Sequence, residues 1–184
     1  MVPQPVAPPV ATFRMAASIR GTLVLVYLAL VLPLPLLAPP ELRLALAAAL
    51  PLGLALVLAA SSEQVELSED GLHLRYPRWC RWWIRRGWSV SWAAIEALVP
   101  VGTSQGGRVF YLRRRDGGPA CLLPQRLERF ELFLQDFQNR SGLSTAGISR
   151  LTPAWTYQLL AGLAGLMLVA EVLSLLFWWG GFSG

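Results

Sequence analysis

Residues 21–37, GTLVLVYLALVLPLPLL, contain no charged side chain and decide the class of this protein. Two further stretches share this character: residues 44–60, LALAAALPLGLALVLAA, and residues 159–179, where Glu171 is the one charge. A helix needs about 17–25 apolar residues to cross the hydrocarbon core of a bilayer. The sequence therefore predicts three transmembrane spans.

The first two stretches are separated only by residues 38–43, so we expect them to form a helical hairpin. The prolines within them, Pro33, Pro35 and Pro51, are better tolerated in spanning helices than in soluble ones. A signal peptide ends in a cleavage site of small residues, but here the one small residue, Ala38, is directly followed by Pro39 and Pro40. An uncleaved anchor therefore fits better than a signal peptide.

The composition agrees with a membrane protein. The chain has 184 residues, of which 54% are hydrophobic and only 15% charged, well below the quarter typical of soluble domains. Two cysteines, Cys80 and Cys121, are too few for a secreted disulfide scaffold. We expect both to remain thiols, and we expect neither a bound metal nor a cofactor.

Arginine placement predicts the orientation of the chain in the membrane. All 16 basic residues are arginine, and 13 of them lie in residues 61–152, against 9 acidic residues. By the positive-inside rule, the N-terminus and this polar region face the cytoplasm and the C-terminus faces away. We expect an integral protein of a bacterial inner or a thylakoid membrane.

Alternating apolar residues in the polar region predict a series of short strands. Glu69-Asp70-Gly71 supplies a turn between two alternating runs, which predicts a hairpin. The predicted strands cover residues 65–67, 72–76, 88–92, 95–101, 108–114 and 120–123.

From Pro124 the apolar period becomes helical, and Gly142 is a plausible stop for this helix. The predicted buried face consists of Leu127, Phe130, Phe133, Leu134 and Phe137. The fold class is therefore an α+β membrane protein.

Four segments carry a resemblance to a known family: VELSEDGLHLRY, WSVSWAAIEAL, GRVFYLRRRDGGPACLLP and RLERFELFLQDFQ, within residues 65–138. Their order resembles the bacterial pleckstrin-homology-like (PH-like) domains of small membrane proteins. The resemblance implies an antiparallel β-barrel or roll with a C-terminal capping helix, and a non-enzymatic scaffold or assembly role. The layout also resembles the photosystem I assembly factor of cyanobacteria and plastids, from which this chain departs by its third span.

These expectations divide the chain into six parts. They are an N-terminal cytoplasmic tail (1–20), a transmembrane helical hairpin (21–60), a cytoplasmic PH-like domain (61–143), a linker (144–153), a third transmembrane helix (154–180) and a C-terminal tail (181–184).

Residues 78–92 hold five of the eight tryptophans, interleaved with four arginines. Tryptophan favours the headgroup region of a membrane and arginine pairs with lipid phosphate, so we expect a surface that contacts a membrane or a partner. The alternative is that Trp88 and Trp92 belong to the core and that the arginines are merely solvated. The proposed contact residues are Arg78, Arg81, Trp82, Trp83, Arg85 and Arg86.

Three other polar residues carry weaker signals. Ser104 lies in Gly-Thr-Ser-Gln-Gly, which matches the nucleophile elbow of hydrolases, but a strand rather than a helix follows it. In those hydrolases the catalytic histidine follows the serine in the sequence, whereas His73, the one histidine of this chain, precedes Ser104. We expect His73 to face outward. Glu171 is an intramembrane polar residue that can pair with a neighbouring helix.

We expect the partners to be membrane lipids and other integral membrane proteins, and not nucleic acid. Positive-inside topology already accounts for the small basic excess, a net charge of +5. Two small-xxx-small pairs, Ala49 with Gly53 and Ala161 with Gly165, permit close helix packing. A second copy of the chain is therefore another candidate partner. A lipid-surface module that organises anionic lipid is the alternative to a scaffold.

Overall fold

The computed structural model describes residues 10–81, 87–104, 106–150 and 152–180. The chain divides into two compact units. The polar unit comprises Met1–Ala16 and Ser62–Thr152, and the helical unit comprises Ala17–Ser61 and Pro153–Gly184. The predicted α+β class is confirmed, with two N-terminal apolar helical segments, two antiparallel sheets and a C-terminal apolar helix.

Three segments of the helical unit are long and apolar enough to cross a membrane: Ala17–Leu37, Pro40–Ala60 and Trp155–Trp178. They are the three candidate spans that the sequence predicts. The first contains helix α1 (Ala17–Val31) and the short helix α2 (Leu34–Leu37). The second is α3 (Pro40–Ala60) and the third is α5 (Ala154–Gly180). The break between α1 and α2 falls at Pro33, which has no N–H to donate.

Specific contacts join the helices within the helical unit. The hydroxyl of Tyr27 on α1 donates to the carbonyl of Leu50 on α3 at 2.7 Å. A Cβ at Gly53 would overlap the Tyr27 side chain, so glycine is what allows the ring to pack there. The Thr22 hydroxyl lies 2.9 Å from the Ser18 carbonyl and 3.3 Å from the Tyr157 carbonyl on α5.

The polar unit begins with a strand that is not among those predicted from the sequence. Strand β1 (Ala11–Arg14) pairs antiparallel with β2 (Gln64–Leu67), placing Thr12 opposite Glu66. The segments α1, α2 and α3 lie between these two strands in the sequence. Residues from both sides of the helical hairpin therefore meet in one sheet.

The first sheet continues from β2 through the predicted hairpin. Strand β3 (Gly71–Arg75) pairs with β2, with Leu74 opposite Val65, and β4 (Trp88–Ser91) pairs with β3. The order is β1-β2-β3-β4. The hairpin across Glu69-Asp70-Gly71 is thus confirmed.

The second sheet contains the remaining predicted strands. Strands β5 (Ile95–Gly102), β6 (Arg108–Arg114) and β7 (Cys121–Leu122) follow in the order β5-β6-β7. The predicted strand over 120–123 shortens to two residues. Pro119 and Pro124 flank it, and a proline cannot donate to a ladder.

The two sheets do not close into a barrel. Within the described ranges no ladder joins them, and a 3₁₀ turn at Trp92–Ala94 separates β4 from β5. A β-bulge at Ile95 to Ala97 bends the next strand at its start. The closed form of the predicted barrel is therefore corrected to two separate antiparallel sheets.

The amphipathic helix α4 (Phe130–Ser141) covers the core of the polar unit. It begins later than Pro124, because Leu127 forms an isolated antiparallel bridge with Met15 instead. Gly142 ends the helix with a positive φ of 70°, a conformation that favours glycine. All five residues of the predicted apolar face are buried: Leu127, Phe130, Phe133, Leu134 and Phe137.

Phe133 is the best single test of this core. It is fully buried, and its ring packs edge-to-face on Phe13 with the centroids 5.5 Å apart. We expect Phe133→Ala to lower the free energy of unfolding by about 3–5 kcal/mol, because it removes packing and leaves a cavity. Urea unfolding of the full-length protein in detergent, followed by tryptophan fluorescence, measures this loss.

The matched control is the adjacent Leu132→Ala, because the Leu132 side chain is exposed. We expect it to cost less than about 1 kcal/mol. Equal losses for the two variants would contradict the assigned core face of α4.

Candidate functional site

The loop between β3 and β4 carries the described part of the predicted contact surface. Arg78, Trp79 and Arg81 are exposed, and 51% of Trp79 is accessible. Between them Cys80 is fully buried. Its sulfur lies 3.5 Å from the Ser62 hydroxyl and 3.5 Å from the Pro77 carbonyl. The buried thiol therefore fixes a short segment whose neighbouring side chains project outward.

Backbone hydrogen bonds close this segment into a tight turn. The N–H groups of Cys80 and Arg81 donate to the Pro77 carbonyl at 3.2 and 3.1 Å. We call residues 78–81 the anchored turn. Its two arginines form no ion pair in the part of the chain that the structure describes. Within the described residues, the guanidinium groups of Arg78 and Arg81 therefore remain available to bind an anionic partner.

The other four predicted contact residues, Trp82, Trp83, Arg85 and Arg86, lie outside the described residues. The described chain resumes at Gly87, just before β4. A Cβ on Gly87 would overlap the Leu74 carbonyl oxygen of β3, so glycine is required where the loop enters β4. Both ends of the loop are thus fixed by close contacts.

The two tryptophans that follow the loop belong to the core instead. Trp88 and Trp92 are half-buried and pack against the core of the polar unit. The Trp92 ring lies edge-to-face with Phe137 at 5.7 Å, and its indole N–H donates to the Ser68 carbonyl at 3.0 Å. For these two residues the core alternative is correct. The tryptophan-rich stretch is therefore divided, with Trp79 accessible and Trp88 and Trp92 structural.

His73 is held by two serines on the first sheet. Its Nε2 lies 2.9 Å from the Ser68 hydroxyl and its Nδ1 lies 2.7 Å from the Ser89 hydroxyl. Ser89 is opposite His73 in the β3–β4 ladder. Because a hydroxyl both donates and accepts, the two serines satisfy either tautomer of the imidazole.

Ser104 lies in the connection between β5 and β6. The N–H of Thr103 donates to the Gly107 carbonyl at 2.8 Å, and the Thr103 hydroxyl accepts from the Gly107 N–H at 3.0 Å. The exposed Ser104 is followed by strand β6. It therefore occupies a hairpin turn and not a strand-to-helix elbow. Among the described residues, no three His, Cys, Asp or Glu side chains group as metal ligands would.

The connection between β6 and β7 holds an electrostatic cluster around Asp116 that is not predicted from the sequence. The Arg114 guanidinium donates from Nε to Asp116 at 2.8 Å and also bonds the second carboxylate oxygen. These bonds hold the pKa of Asp116 below its ordinary value, aided by the Gly118 N–H at 3.1 Å. Burial raises the pKa of the Cys121 thiol, which keeps it protonated at neutral pH.

A cavity of about 360 Å³ lies between β1 and the region around the start of α4. This cavity is not predicted from the sequence, because strand β1, which forms one side of it, is not predicted. Its lining contains both positively and negatively charged side chains. The lining residues are Ala11, Thr12, Phe13, Arg14, Glu128, Arg129, Leu132 and Asp136.

Glu171 lies within the third candidate span. Its Oε2 atom is buried and has no hydrogen-bond partner in the described part of the chain. A buried polar oxygen without a partner lowers the stability of a protein. Within the described helical unit, no hydrogen bond compensates for burying this oxygen of Glu171.

Comparison with known proteins identifies a relative. The chain is 39% identical over 102 residues to the uncharacterized protein slr0269 of Synechocystis sp., a cyanobacterium. The match covers 55% of this chain and spans about half, 51%, of the relative's length. No protein-family model and no solved structure matches the chain.

Glu171→Leu tests the unpaired carboxylate oxygen. We expect the isolated protein in detergent to become more stable, by roughly 1–3 kcal/mol, because the unsatisfied buried atom is removed. Thermal unfolding followed by tryptophan fluorescence measures the change. Ser174→Ala is the control, since the Ser174 hydroxyl donates at 2.8 Å to the Ala170 carbonyl of its own helix. A less stable Leu variant would show that Glu171 makes a stabilising bond.

Asp116→Asn tests the electrostatic cluster. The lowered pKa means that ionised Asp116 stabilises the fold at neutral pH, and that this contribution is lost as the pH falls through the lowered pKa. We expect the variant to melt at a lower temperature than the parent at pH 7, and the difference to shrink as the pH is lowered below the ordinary aspartate pKa of about 3.9. Glu131→Gln, an exposed change on α4, is the control. A difference that persists in acid would contradict the ionic origin.

Proposed function

We propose that this protein is a non-enzymatic, membrane-anchored PH-like scaffold or assembly factor for a membrane protein complex. The polar unit would bind the client, and the three candidate spans would hold it at the bilayer. The observation that carries the proposal is the anchored turn, residues 78–81.

The arrangement of the polar unit supports the PH-like part of the proposal. The resemblance predicts short antiparallel strands followed by one amphipathic helix that covers them. In the described part of the chain, seven strands in two sheets precede α4, whose buried phenylalanines pack against both Phe13 and Trp92. This order of elements matches the expected one even though the sheets remain separate.

The construction of the anchored turn supports a docking role. A free arginine in a flexible loop loses side-chain and backbone entropy when it binds a partner. Here the buried Cys80 and the hydrogen bonds to Pro77 already fix the backbone that carries Arg78 and Arg81. Arginine and tryptophan are also the residues most enriched where binding energy concentrates. The turn therefore presents binding groups at a reduced entropic cost.

Both ring nitrogens of His73 meet serine hydroxyls, which favours a structural role for this histidine. We therefore place the function in binding and not in catalysis.

The β1–β2 ladder supports the proposed topology. Because β1 precedes α1 and β2 follows α3, their pairing requires both ends of the helical hairpin to lie on one side of the membrane. The excess of arginine in this unit favours the cytoplasmic side. A single further crossing by α5 would then place the C-terminus on the opposite side of the membrane.

The cyanobacterial relative supports the proposed location. Such cells carry both a plasma and a thylakoid membrane, and we propose one of these as the host. The layout similar to the photosystem I assembly factor makes a photosynthetic complex the first client to test.

The experiment is a pull-down in gentle detergent of tagged full-length protein from its native membranes. We expect a membrane-complex subunit to co-purify in fixed ratio. Arg78→Gln with Arg81→Gln should lower its recovery about fivefold or more, because two charged contacts are lost. Quantitative mass spectrometry measures the recovered amounts.

The matched control is Arg75→Gln with Arg113→Gln. These exposed arginines pair with Glu66 and Glu96, so the control removes the same charge elsewhere on the unit. Equal loss in both variants would indicate a nonspecific charge effect. Recovery of the tagged protein without any other chain would contradict the scaffold proposal.

A further inference from the structure

A basic face lies where the polar unit connects to α1. The bridge between Met15 and Leu127 places two backbone segments side by side. The Ala16 N–H donates to the Arg126 carbonyl at 3.0 Å, and the Glu128 N–H donates to the Arg14 carbonyl at 2.9 Å. Met15 and Leu127 are buried, whereas Arg14, Arg126 and Glu128 are exposed. Arg14 and Arg126 therefore share one exposed face.

A third arginine is tied to the same place from the other end of the unit. The Arg150 guanidinium donates to the Glu128 carbonyl at 3.2 Å and lies 5.9 Å from the Phe130 ring centroid. Just before it, the Ser149 carbonyl accepts from the buried Gln125 amide at 2.8 Å. The chain that leads to α5 is thus held against the segment 125–130.

The three arginines remain available for an anion. Arg14, Arg126 and Arg150 are exposed, and none forms an ion pair within the described residues. Glu128, Asp136 and Arg129 line a cavity together with Arg14, so this part of the surface has four arginines against two carboxylates. The guanidinium group matches phosphate with two parallel hydrogen bonds.

Chain geometry sets how far this face can lie from the candidate spans. Consecutive Cα atoms are about 3.8 Å apart, so Arg14 lies within about 11 Å of Ala17, where α1 begins. Arg150 likewise lies within about 15 Å of Ala154, where α5 begins. Arg126 is hydrogen-bonded to Ala16, the residue before α1. Two covalent links and one hydrogen bond thus keep the three residues close to the first residues of two candidate spans.

We propose that Arg14, Arg126 and Arg150 form a binding site for the phosphate headgroup of an anionic phospholipid of the host membrane. The site is separate from the anchored turn and does not depend on the scaffold proposal. A lipid bound there would fix the polar unit against the leaflet from which α1 and α5 enter the bilayer.

The test uses full-length protein in nanodiscs of equimolar phosphatidylcholine and phosphatidylglycerol. Native mass spectrometry counts the lipids that the ejected protein retains. We expect phosphatidylglycerol to be enriched over phosphatidylcholine. Each change of Arg14, Arg126 or Arg150 to Gln should reduce the enrichment roughly fivefold, and the triple variant should abolish it.

Two sets of variants separate the site from a general charge effect. The triple control Arg75→Gln, Arg113→Gln and Arg115→Gln removes three exposed arginines elsewhere and should keep the enrichment. Replacing the three site arginines by lysine should keep only part of it, because the charges remain but the paired hydrogen bonds of the guanidinium groups are lost. The single Gln variants decide the question if the triple variant does not fold. Unchanged enrichment in all of them, or an equal loss in the control, would overturn the proposal.

A last arm distinguishes a membrane lipid from a soluble anion. Inorganic phosphate at about 10 mM should leave the enrichment unchanged, because a headgroup in the leaflet is held at high local concentration. Displacement of phosphatidylglycerol by free phosphate would overturn the assignment to membrane lipid.

Discussion

The polar unit depends on the backbone ladder between β1 and β2. This pairing joins residues that lie on opposite sides of the helical hairpin in the sequence. If α1 and α3 cross a membrane, the ladder requires that they cross and return. It also brings Phe13 into the core, where its ring packs on Phe133 of α4. One short ladder thus links the membrane topology to the packing of the polar unit.

The same core determines what the surface presents. Cys80, which is fully buried, fixes the turn that carries Arg78 and Arg81. The bridge between Met15 and Leu127 likewise fixes the backbone of Arg14 and Arg126. In each case a buried apolar residue determines where exposed arginines lie. Two basic surfaces therefore arise from core packing, and we propose that one binds a protein client and the other a lipid headgroup.

Strong local patterns explain which features the sequence predicts. The Glu69-Asp70-Gly71 turn and its flanking alternation predict the hairpin of β2 and β3, and the 3.6-residue period predicts the buried face of α4. Strand β1 does alternate, with apolar Ala11 and Phe13 and polar Thr12 and Arg14, but a run of four residues next to the first apolar stretch is too short to predict a strand. Its pairing depends on a long-range contact that local patterns do not encode. The separation of the sheets depends on the 3₁₀ turn at Trp92–Ala94, inside a run that continues the strand pattern.

Disulfide formation between β1 and β2 tests the ladder most directly. Thr12 and Glu66 are paired across it, whereas His73 lies one strand further in the same row. With Cys80 and Cys121 replaced by alanine, Thr12→Cys and Glu66→Cys should cross-link in native membranes under mild oxidation, since paired Cα atoms lie about 4.5–5.5 Å apart. Thr12→Cys with His73→Cys should not, at roughly twice that spacing. Absence of the first cross-link, or equal formation of both, would contradict the account.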